Sequence, residues 1–84
     1  MSITFSTLAW DDYQYWAKHD KKKLDRINKL IKESLRHPFE GLGKPEPLKL
    51  NLQGFWSRRI DEEHRLIYAY ADGKLSIVAC RHHY

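Results

Sequence analysis

The 84-residue sequence lacks several features that mark broad classes of protein. It has one cysteine, Cys80, which excludes an internal disulfide and is typical of a reducing compartment. No stretch approaches the ~18 apolar residues of a membrane span. The opening MSITFSTLAW also has no basic start followed by a long apolar run. We therefore expect a cytoplasmic protein with no membrane association.

Sequence motifs for several chemistries are also missing. The chain has no glycine-rich phosphate loop and no serine nucleophile flanked by glycines. Cys80 follows the apolar run SIVA, which predicts a packed thiol rather than a nucleophile. Cys80, His82 and His83 are close in sequence, but no second pair of ligands stands at zinc spacing. We predict neither a metal site nor a cofactor.

The sequence does have positive charge and many aromatic side chains. Fifteen lysines and arginines against eleven acidic residues give a net charge of +4, which favours a polyanionic partner. Three tryptophans, five tyrosines and three phenylalanines are more than a disordered tail would carry. A chain of this length is one domain, residues 1–84, with a core small enough that an oligomer or a tight partner is expected.

The first half of the chain predicts a short strand followed by two helices. Residues 2–5 alternate in polarity, and a helix is expected from about residue 8 to residue 19, with Leu8 and Trp16 facing the core and Asp12 facing solvent. A second helix begins after Asp20, ends before Pro38 and faces the core with Leu24, Ile27, Ile31 and Leu35.

The N-terminus of the second helix carries a cluster of positive charges. Its members are Lys21, Lys22, Lys23 and Arg26. Three lysines at a helix N-terminus oppose the helix dipole, a penalty that is easier to understand if the cluster meets a phosphate backbone. The alternative is an ordinary solvated helix face.

The second half predicts an irregular connection and an antiparallel meander of four strands. Residues 37–47 contain three prolines and two glycines, and Glu46 is held between two of the prolines. Strands are expected at 48–50, 55–60, 64–71 and 74–81, with a hairpin turn at Asp72-Gly73. Together these elements predict an α+β fold in which two antiparallel helices cover one face of a mostly antiparallel sheet of about five strands.

The hairpin register decides which side chains share a face. A two-residue loop places Ala79 under the helices and Arg65, Cys80 and His82 on the opposite face, so that His83 points away from Arg65. A three-residue loop or a bulge near the last residues would reverse this. Arginines at Arg58, Arg59 and Arg65 predict a basic groove on the sheet.

These residue types suit metal-free cleavage of an RNA phosphodiester. RNA supplies its own nucleophile, the 2′-hydroxyl, so the enzyme has to remove that proton, neutralise the phosphate and protonate the leaving 5′-oxygen. Glu46 is the candidate base, His83 or His82 the candidate acid, and Arg65 with Arg59 the charge clamp.

Several segments, in the order in which they follow one another along the chain, resemble the YoeB/Txe toxins of the RelE-like superfamily. They are GKPEPLK (43–49), NLQGFWSRRI (51–60), EEHRLIYAY (62–70) and the terminal CRHHY, with WDDYQYW and INKLIKE in the two helices. The resemblance implies the RelE-like microbial RNase fold. It also implies a toxin that enters the ribosomal A site, cleaves mRNA by 2′-hydroxyl attack and stops translation, leaving a 2′,3′-cyclic phosphate.

The resemblance also assigns residues. It implies Glu46 as the base, His83 as the acid, Arg65 as the phosphate-stabilising arginine and Tyr84 as a supporting residue. The positions that hold RNA phosphates are matched by Lys49 and Arg59, and Lys44 beside Glu46 is a further candidate RNA contact. His82 stands where tyrosine is common in the family, so it can share the acid role.

The implied partners are the ribosome and mRNA, a YefM-like antitoxin, a second copy of the toxin, and operator DNA bound only through the toxin–antitoxin complex. Two other functions fit a small basic domain. One is a non-catalytic module that occludes the ribosome, and the other is a DNA-binding co-regulator that acts with a partner.

Overall fold

The computed structural model describes residues 1–82. Its elements in chain order are β1 (Ser2–Phe5), α1 (Thr7–His19), α2 (Lys21–Arg36), β2 (Glu46–Pro47), β3 (Trp56–Arg59), β4 (Arg65–Ala71) and β5 (Lys74–Ala79). The strands form one sheet in the order β1-β5-β4-β3-β2, in which β1 runs parallel to β5 and every other pair is antiparallel. The predicted α+β class, with two helices on a mostly antiparallel sheet of five strands, is confirmed.

The two helices form a tight antiparallel pair. Asp20 is the single residue between them and caps α2, since its carboxylate accepts a hydrogen bond at 3.3 Å from the backbone N–H of Lys23. Across the pair, the Tyr13 hydroxyl donates to Asn28 Oδ1 at 2.7 Å. The second helix ends at Arg36, ahead of Pro38 as predicted. Within residues 1–82, neither helix is long and apolar enough to cross a membrane.

The core lies between this helix pair and one face of the sheet. It contains Ala9, Trp16, Ile27, Leu30 and Ile31 from the helices and Leu66, Tyr68, Leu75, Ile77 and Cys80 from the sheet and its end. The prediction for α1 was wrong at two positions, because Leu8 is 52% exposed while Asp12 is buried. Burial of Asp12 is tolerated because its carboxylate accepts a hydrogen bond from the backbone N–H of Cys80 at 3.0 Å.

The strand predicted at residues 48–50 is displaced. The pairing strand is β2 at Glu46–Pro47, and the ladder ends one bond later, where the Leu48 N–H donates to the Phe55 carbonyl at 2.9 Å. Leu50 then adopts φ +58° and opens a 3₁₀ turn. The alternation of leucines in this segment resembles a strand, but the turn ends it. As a result, Glu46 belongs to the sheet rather than to an irregular connection.

The β4–β5 hairpin begins with the predicted two-residue loop. Residues 72–73 both have positive φ, +51° and +77°, as a type I′ turn requires. The pairs Tyr70–Leu75 and Tyr68–Ile77 follow in register. All four side chains belong to the core or pack against it, so the face predicted for this part of the hairpin is confirmed.

A β-bulge then changes the register. After Tyr68 pairs with Ile77, the next pair is Ile67 with Ala79, so Val78 is left without a partner. The bulge reverses the faces beyond it: Ala79 shares the outer face with Ile67, and Cys80 enters the core. The predicted faces of Ala79 and Cys80 were therefore wrong, and the alternative of a bulge is the one that occurs. His83 lies outside the described residues.

Arg58 is buried rather than part of a basic groove. Its Nε donates to the Tyr68 hydroxyl at 3.0 Å, and its two other nitrogens donate to the backbone carbonyls of His37, Glu40 and Leu42. The Tyr68 hydroxyl donates in turn to the Pro38 carbonyl at 2.6 Å. Burial raises the pKa of this tyrosine above its ordinary value. The guanidinium thus holds the connection that follows α2 against the face of the sheet that the helices cover.

We expect Arg58→Lys to lower the free energy of unfolding by about 2–4 kcal/mol, because an ammonium lacks the planar fork that reaches three carbonyls and a hydroxyl. Urea denaturation measures the change. The matched control is Arg59→Lys, at an exposed position on the same strand, which should change stability by no more than about 0.5 kcal/mol. Equal effects of the two substitutions would contradict the role given to Arg58.

Candidate active site

The outer face of the sheet, turned away from the helices, collects the polar side chains of three strands. Glu46 pairs with Ser57, and Arg59 pairs with Arg65. Side chains alternate along a strand, so Arg58 points to the core while its two neighbours on β3 point outward. The register therefore places these four side chains together on the outer face.

Arg65 makes the central contacts of this group. Its Nη1 lies 3.2 Å from Glu46 Oε1 and 3.3 Å from the Ser57 hydroxyl oxygen. The Arg65 side chain is 25% exposed and that of Glu46 is 61% exposed, so the pair is open to an incoming ligand. A shallow cavity of about 260 Å³ lies over them, lined by Glu46, Pro47, Leu48, Lys49, Ser57 and Arg65. The carboxylate of Glu46, the guanidinium of Arg65 and the ammonium of Lys49 thus share one opening.

The structure brings Glu46, Arg65 and Lys49 together, as expected from the sequence. Ser57 also lies in the site and was missed, because an isolated serine on a strand carries no signal of its own. Its position opposite Glu46 in the ladder is the only feature that could have identified it.

The two other candidate RNA contacts flank this opening. Arg59 is exposed at the end of β3, directly across from Arg65. Lys44 is exposed beside Gly43, whose carbonyl accepts a hydrogen bond from the Arg59 N–H at 2.7 Å. Both side chains therefore lie where the connection after α2 meets β3, close to the cavity.

In the basic cluster of α2, two side chains contact other parts of the chain and two are exposed to solvent. Lys23 Nζ lies 3.0 Å from Asp61 Oδ2, and Arg26 Nη2 donates to the Arg59 carbonyl at 3.0 Å. Burial alone would raise the pKa of Asp61, but hydrogen bonds from backbone N–H groups and from Lys23 lower it below its ordinary value. Lys21 and Lys22, by contrast, are exposed. Two of the four cations thus have partners within the chain.

The segment that precedes His83 is held against α1. The Cys80 N–H donates to Asp12, and the Trp16 indole N–H donates to the Cys80 carbonyl at 2.8 Å. The Arg81 guanidinium lies 3.5 Å from the centre of the Tyr15 ring, a cation–π contact. Asp12, Tyr15 and Trp16 follow the spacing of one helix face. These three anchors were missed, although that spacing was visible in the sequence.

Two residues of the β3–β4 region hold the next position. The His82 N–H donates to His64 Nδ1 at 2.8 Å, and the His82 carbonyl accepts from the Arg65 N–H at 2.8 Å. His82 itself is exposed and has φ +64°. The backbone next to His83 is therefore fixed to the strand that carries Arg65, while His83 and Tyr84 lie outside the described residues.

Cys80 is a packed thiol, as predicted. It is completely buried, and its Sγ lies 3.7 Å from the Ala9 carbonyl oxygen, to which it donates. Burial, together with the Asp12 carboxylate, raises the pKa of the thiol from 9.0 to about 12. The thiolate needed for nucleophilic attack is therefore not formed near neutral pH.

Comparison with known proteins gives a consistent result over the whole chain. Residues 5–84 match the family model described as the YoeB-like toxin of bacterial type II toxin-antitoxin systems. The toxin YoeB of Escherichia coli K12 is 61% identical over 84 residues, covering all of both chains.

Solved structures agree with the sequence comparison. A YoeB/ParE toxin from Agrobacterium tumefaciens superposes with a TM-score of 0.96 at 45% identity, covering all of both chains. A heterotetrameric YoeB-YefM toxin-antitoxin complex from Staphylococcus aureus gives a TM-score of 0.92 at 49% identity, over 98% of this chain and 95% of that one. A YoeB dimer from the same organism gives 0.94 at 48% identity, over 100% and 98%.

The raised pKa of Cys80 predicts a loss of stability at high pH. The folded thiol stays protonated up to about pH 12, while the unfolded thiol ionises near its ordinary value of 9.0. The contribution of Cys80 to stability is therefore complete below pH 9 and falls between pH 9 and 12, at up to about 1.4 kcal/mol per pH unit.

Urea denaturation of the wild type and of Cys80→Ala measures this effect. The difference in their free energies of unfolding should be constant from pH 7 to pH 8 and should shrink above pH 9. A difference that stays constant up to pH 10.5 would show that the folded thiol titrates normally.

Proposed function

The chain belongs to the YoeB-like toxins of bacterial type II toxin-antitoxin systems, and from this premise we propose that it is a ribosome-dependent mRNA endonuclease. In this proposal it enters the ribosomal A site, cleaves the message and so stops translation. The observation that carries the proposal is the contact between the Arg65 guanidinium and the Glu46 carboxylate on the open face of the sheet. The pair provides a base and a phosphate clamp in one opening.

The proposed reaction uses the chain's own side chains. Glu46 removes the proton of the 2′-hydroxyl, whose oxygen attacks the adjacent phosphorus. Arg65 neutralises the charge that develops on the phosphate oxygens, and His83 protonates the departing 5′-oxygen. The products are a 2′,3′-cyclic phosphate and a 5′-hydroxyl. Tyr84 supports the site, and His82 can share the acid role.

The ion pair in the free protein suits this sequence of events. Glu46 and Arg65 meet through a single contact at an exposed position, an arrangement that contributes little stability. A guanidinium has five donors and binds phosphate well, so an arriving phosphodiester competes for Arg65 and leaves the carboxylate free to act as a base. The Ser57 hydroxyl oxygen accepts a hydrogen bond from the same guanidinium and limits its movement.

RNA binding is proposed for the cations around this opening. Lys49 lines the cavity itself, and Arg59 stands across the ladder from Arg65. Lys44 extends the positive surface at the start of β2. Each of these side chains is exposed and free to follow a phosphate backbone, which is the main source of affinity for nucleic acids.

We propose a YefM-like antitoxin as the protein partner, with an acidic segment that covers the site and blocks RNA. The proposal rests on the YoeB-YefM complex from Staphylococcus aureus at 49% identity. A homodimer is proposed from the YoeB dimer of the same organism at 48% identity. Binding to operator DNA is assigned to the toxin–antitoxin complex and not to the toxin alone.

The enzymatic proposal predicts that Glu46→Gln and His83→Ala each lower the rate of cleavage by about 10²- to 10⁴-fold, because each removes one proton-transfer group. The measurement is the mapping of new 5′ ends on mRNA bound to programmed ribosomes. Glu62→Gln removes a carboxylate from an exposed turn outside the site and serves as the control, with cleavage at the wild-type rate.

Cuts that persist in both variants at the wild-type rate would refute the mechanism. Translation that stops without any new 5′ end, in the wild type and in the variants alike, would support the ribosome-occluding alternative instead.

The exposed part of the α2 cluster is proposed to dock on ribosomal RNA. Lys22→Glu should weaken ribosome binding and leave the cut position unchanged. The slope of log K against log salt concentration should fall in magnitude by about one, since one contact between a cation and a phosphate is lost. Lys74→Glu makes the same change of charge at an exposed position, the first residue of β5, and should have no such effect. Equal binding and equal salt dependence for the two variants would show that Lys22 belongs to a solvated helix face.

A further inference from the structure

The backbone of His82 is held in an unfavourable conformation by two hydrogen bonds. Its φ of +64° lies in the left-handed region, which is disfavoured for a residue with a Cβ. The N–H is bound by His64 Nδ1 and the carbonyl by the N–H of Arg65, each at 2.8 Å. Two adjacent residues, His64 and the first residue of β4, Arg65, thus hold the N–H and the carbonyl of His82, the residue that precedes His83 in the sequence.

The hydrogen bond from the His82 N–H fixes the tautomer of the His64 ring. A backbone N–H can only donate, so Nδ1 of His64 must carry a lone pair, and the proton of the neutral ring is on Nε2. Among residues 1–82, the carboxylate paired with Nε2 is that of Glu63, whose Oε1 lies 3.8 Å away, too far for a hydrogen bond. Nδ1 is therefore the nitrogen that makes the specific contact.

The surroundings of His64 keep the ring in place. The residue is 8% exposed, and its ring meets that of Trp16 edge to face, with centroids 4.8 Å apart. Trp16 at the same time donates its indole N–H to the Cys80 carbonyl. Both aromatic residues therefore act on the same short segment, residues 80–82, and the ring of His64 has little freedom to turn away from it.

We propose that His64 is a positioning residue: through Nδ1 it fixes the backbone of His82, the residue that precedes His83 in the sequence, and thereby supports the part that His83 takes in RNA cleavage. The inference rests on the proposed function, since it assigns His64 a part in the reaction through His83. It adds a residue that touches neither the substrate nor the scissile phosphate. The structural requirement is an acceptor at the position of Nδ1, and not an imidazole as such.

Two substitutions separate the acceptor from the ring. In His64→Asn, the side-chain Oδ1 occupies the position of Nδ1 and can accept the His82 N–H, whereas in His64→Gln the amide reaches the position of Nε2 and leaves Nδ1 unreplaced. Both variants lose the ring and its contact with Trp16, so that loss is common to them. Glu63→Gln, which alters the carboxylate near Nε2, is the control and should behave as the wild type.

Two measurements are made on each variant. The first is kcat and KM for cleavage of ribosome-bound mRNA, and the second is hydrogen exchange of the His82 amide, which needs no activity. His64→Gln should lower kcat about 10- to 100-fold with little change in KM, since small displacements of a reacting group cost about this much. Its His82 amide should exchange at least about tenfold faster than in the wild type, an effect of losing one hydrogen bond. In His64→Asn, both kcat and the exchange rate should stay within about threefold of the wild type, because the acceptor is kept.

Equal kcat values and equal exchange rates for the asparagine and glutamine variants would overturn the proposal, because only the ring would then matter. Failure of the proposed function looks different: the wild type itself would give no cleavage on ribosomes. The exchange rates would then decide alone, with faster exchange in His64→Gln than in His64→Asn supporting the fixed segment and equal rates rejecting it.

Discussion

The alternation of side chains along β3 is the constraint on which the rest of the structure depends. Arg58 points inward and binds the connection that leads from α2 to β2, while Ser57 and Arg59 point outward. Arg58 thus holds the segment that leads to Glu46. Its neighbours on the strand, Ser57 and Arg59, lie on the same face of the sheet as Glu46. A shift of one residue in this strand would bury a site residue and expose the guanidinium that holds the loop.

A second constraint acts at the other end of the sheet. The bulge at Val78 turns Cys80 into the core, where its backbone meets Asp12 and Trp16 of α1. Without the extra residue, the chain would reach the end of β5 with the opposite face inward, and these contacts would be lost. The bulge, the first helix and His64 together keep the chain next to Arg65 up to its last described residue.

Much of the fold was predictable from local signals in the sequence. Asp20 and Pro38 mark helix ends by their own chemistry, and Asp72-Gly73 specifies a tight hairpin. The errors about the burial of Asp12 and Arg58 have a common physical origin. The burial of Asp12 depends on an N–H 68 residues away, and that of Arg58 on three carbonyls from another part of the chain. No local pattern records such partners.

The candidate site was predictable to a similar degree. The prolines on either side of Glu46 singled out that residue, and the positive charge of the chain gave Arg65 as a charge clamp. The resemblance to a toxin family then assigned Arg65 again and added Lys49. Ser57 was not found, because it is identified only by its pairing with Glu46 in the sheet. His64 was not found, because its contact is with the backbone N–H of His82, which lies beyond the bulge of β5. Nothing in the sequence around Val78 predicts the bulge.

The central claim is that the message supplies its own nucleophile to the Glu46–Arg65 site. The most direct test replaces the ribose at the mapped cut position of a ribosome-bound message with a 2′-deoxyribose, leaving every other nucleotide unchanged. We predict that the protein still binds the programmed ribosome and that cleavage at this position is abolished, while the all-ribose message is cut to a 2′,3′-cyclic phosphate. Cleavage of the deoxy-substituted message at an unchanged rate would contradict the account, because the attacking oxygen would then have to come from elsewhere.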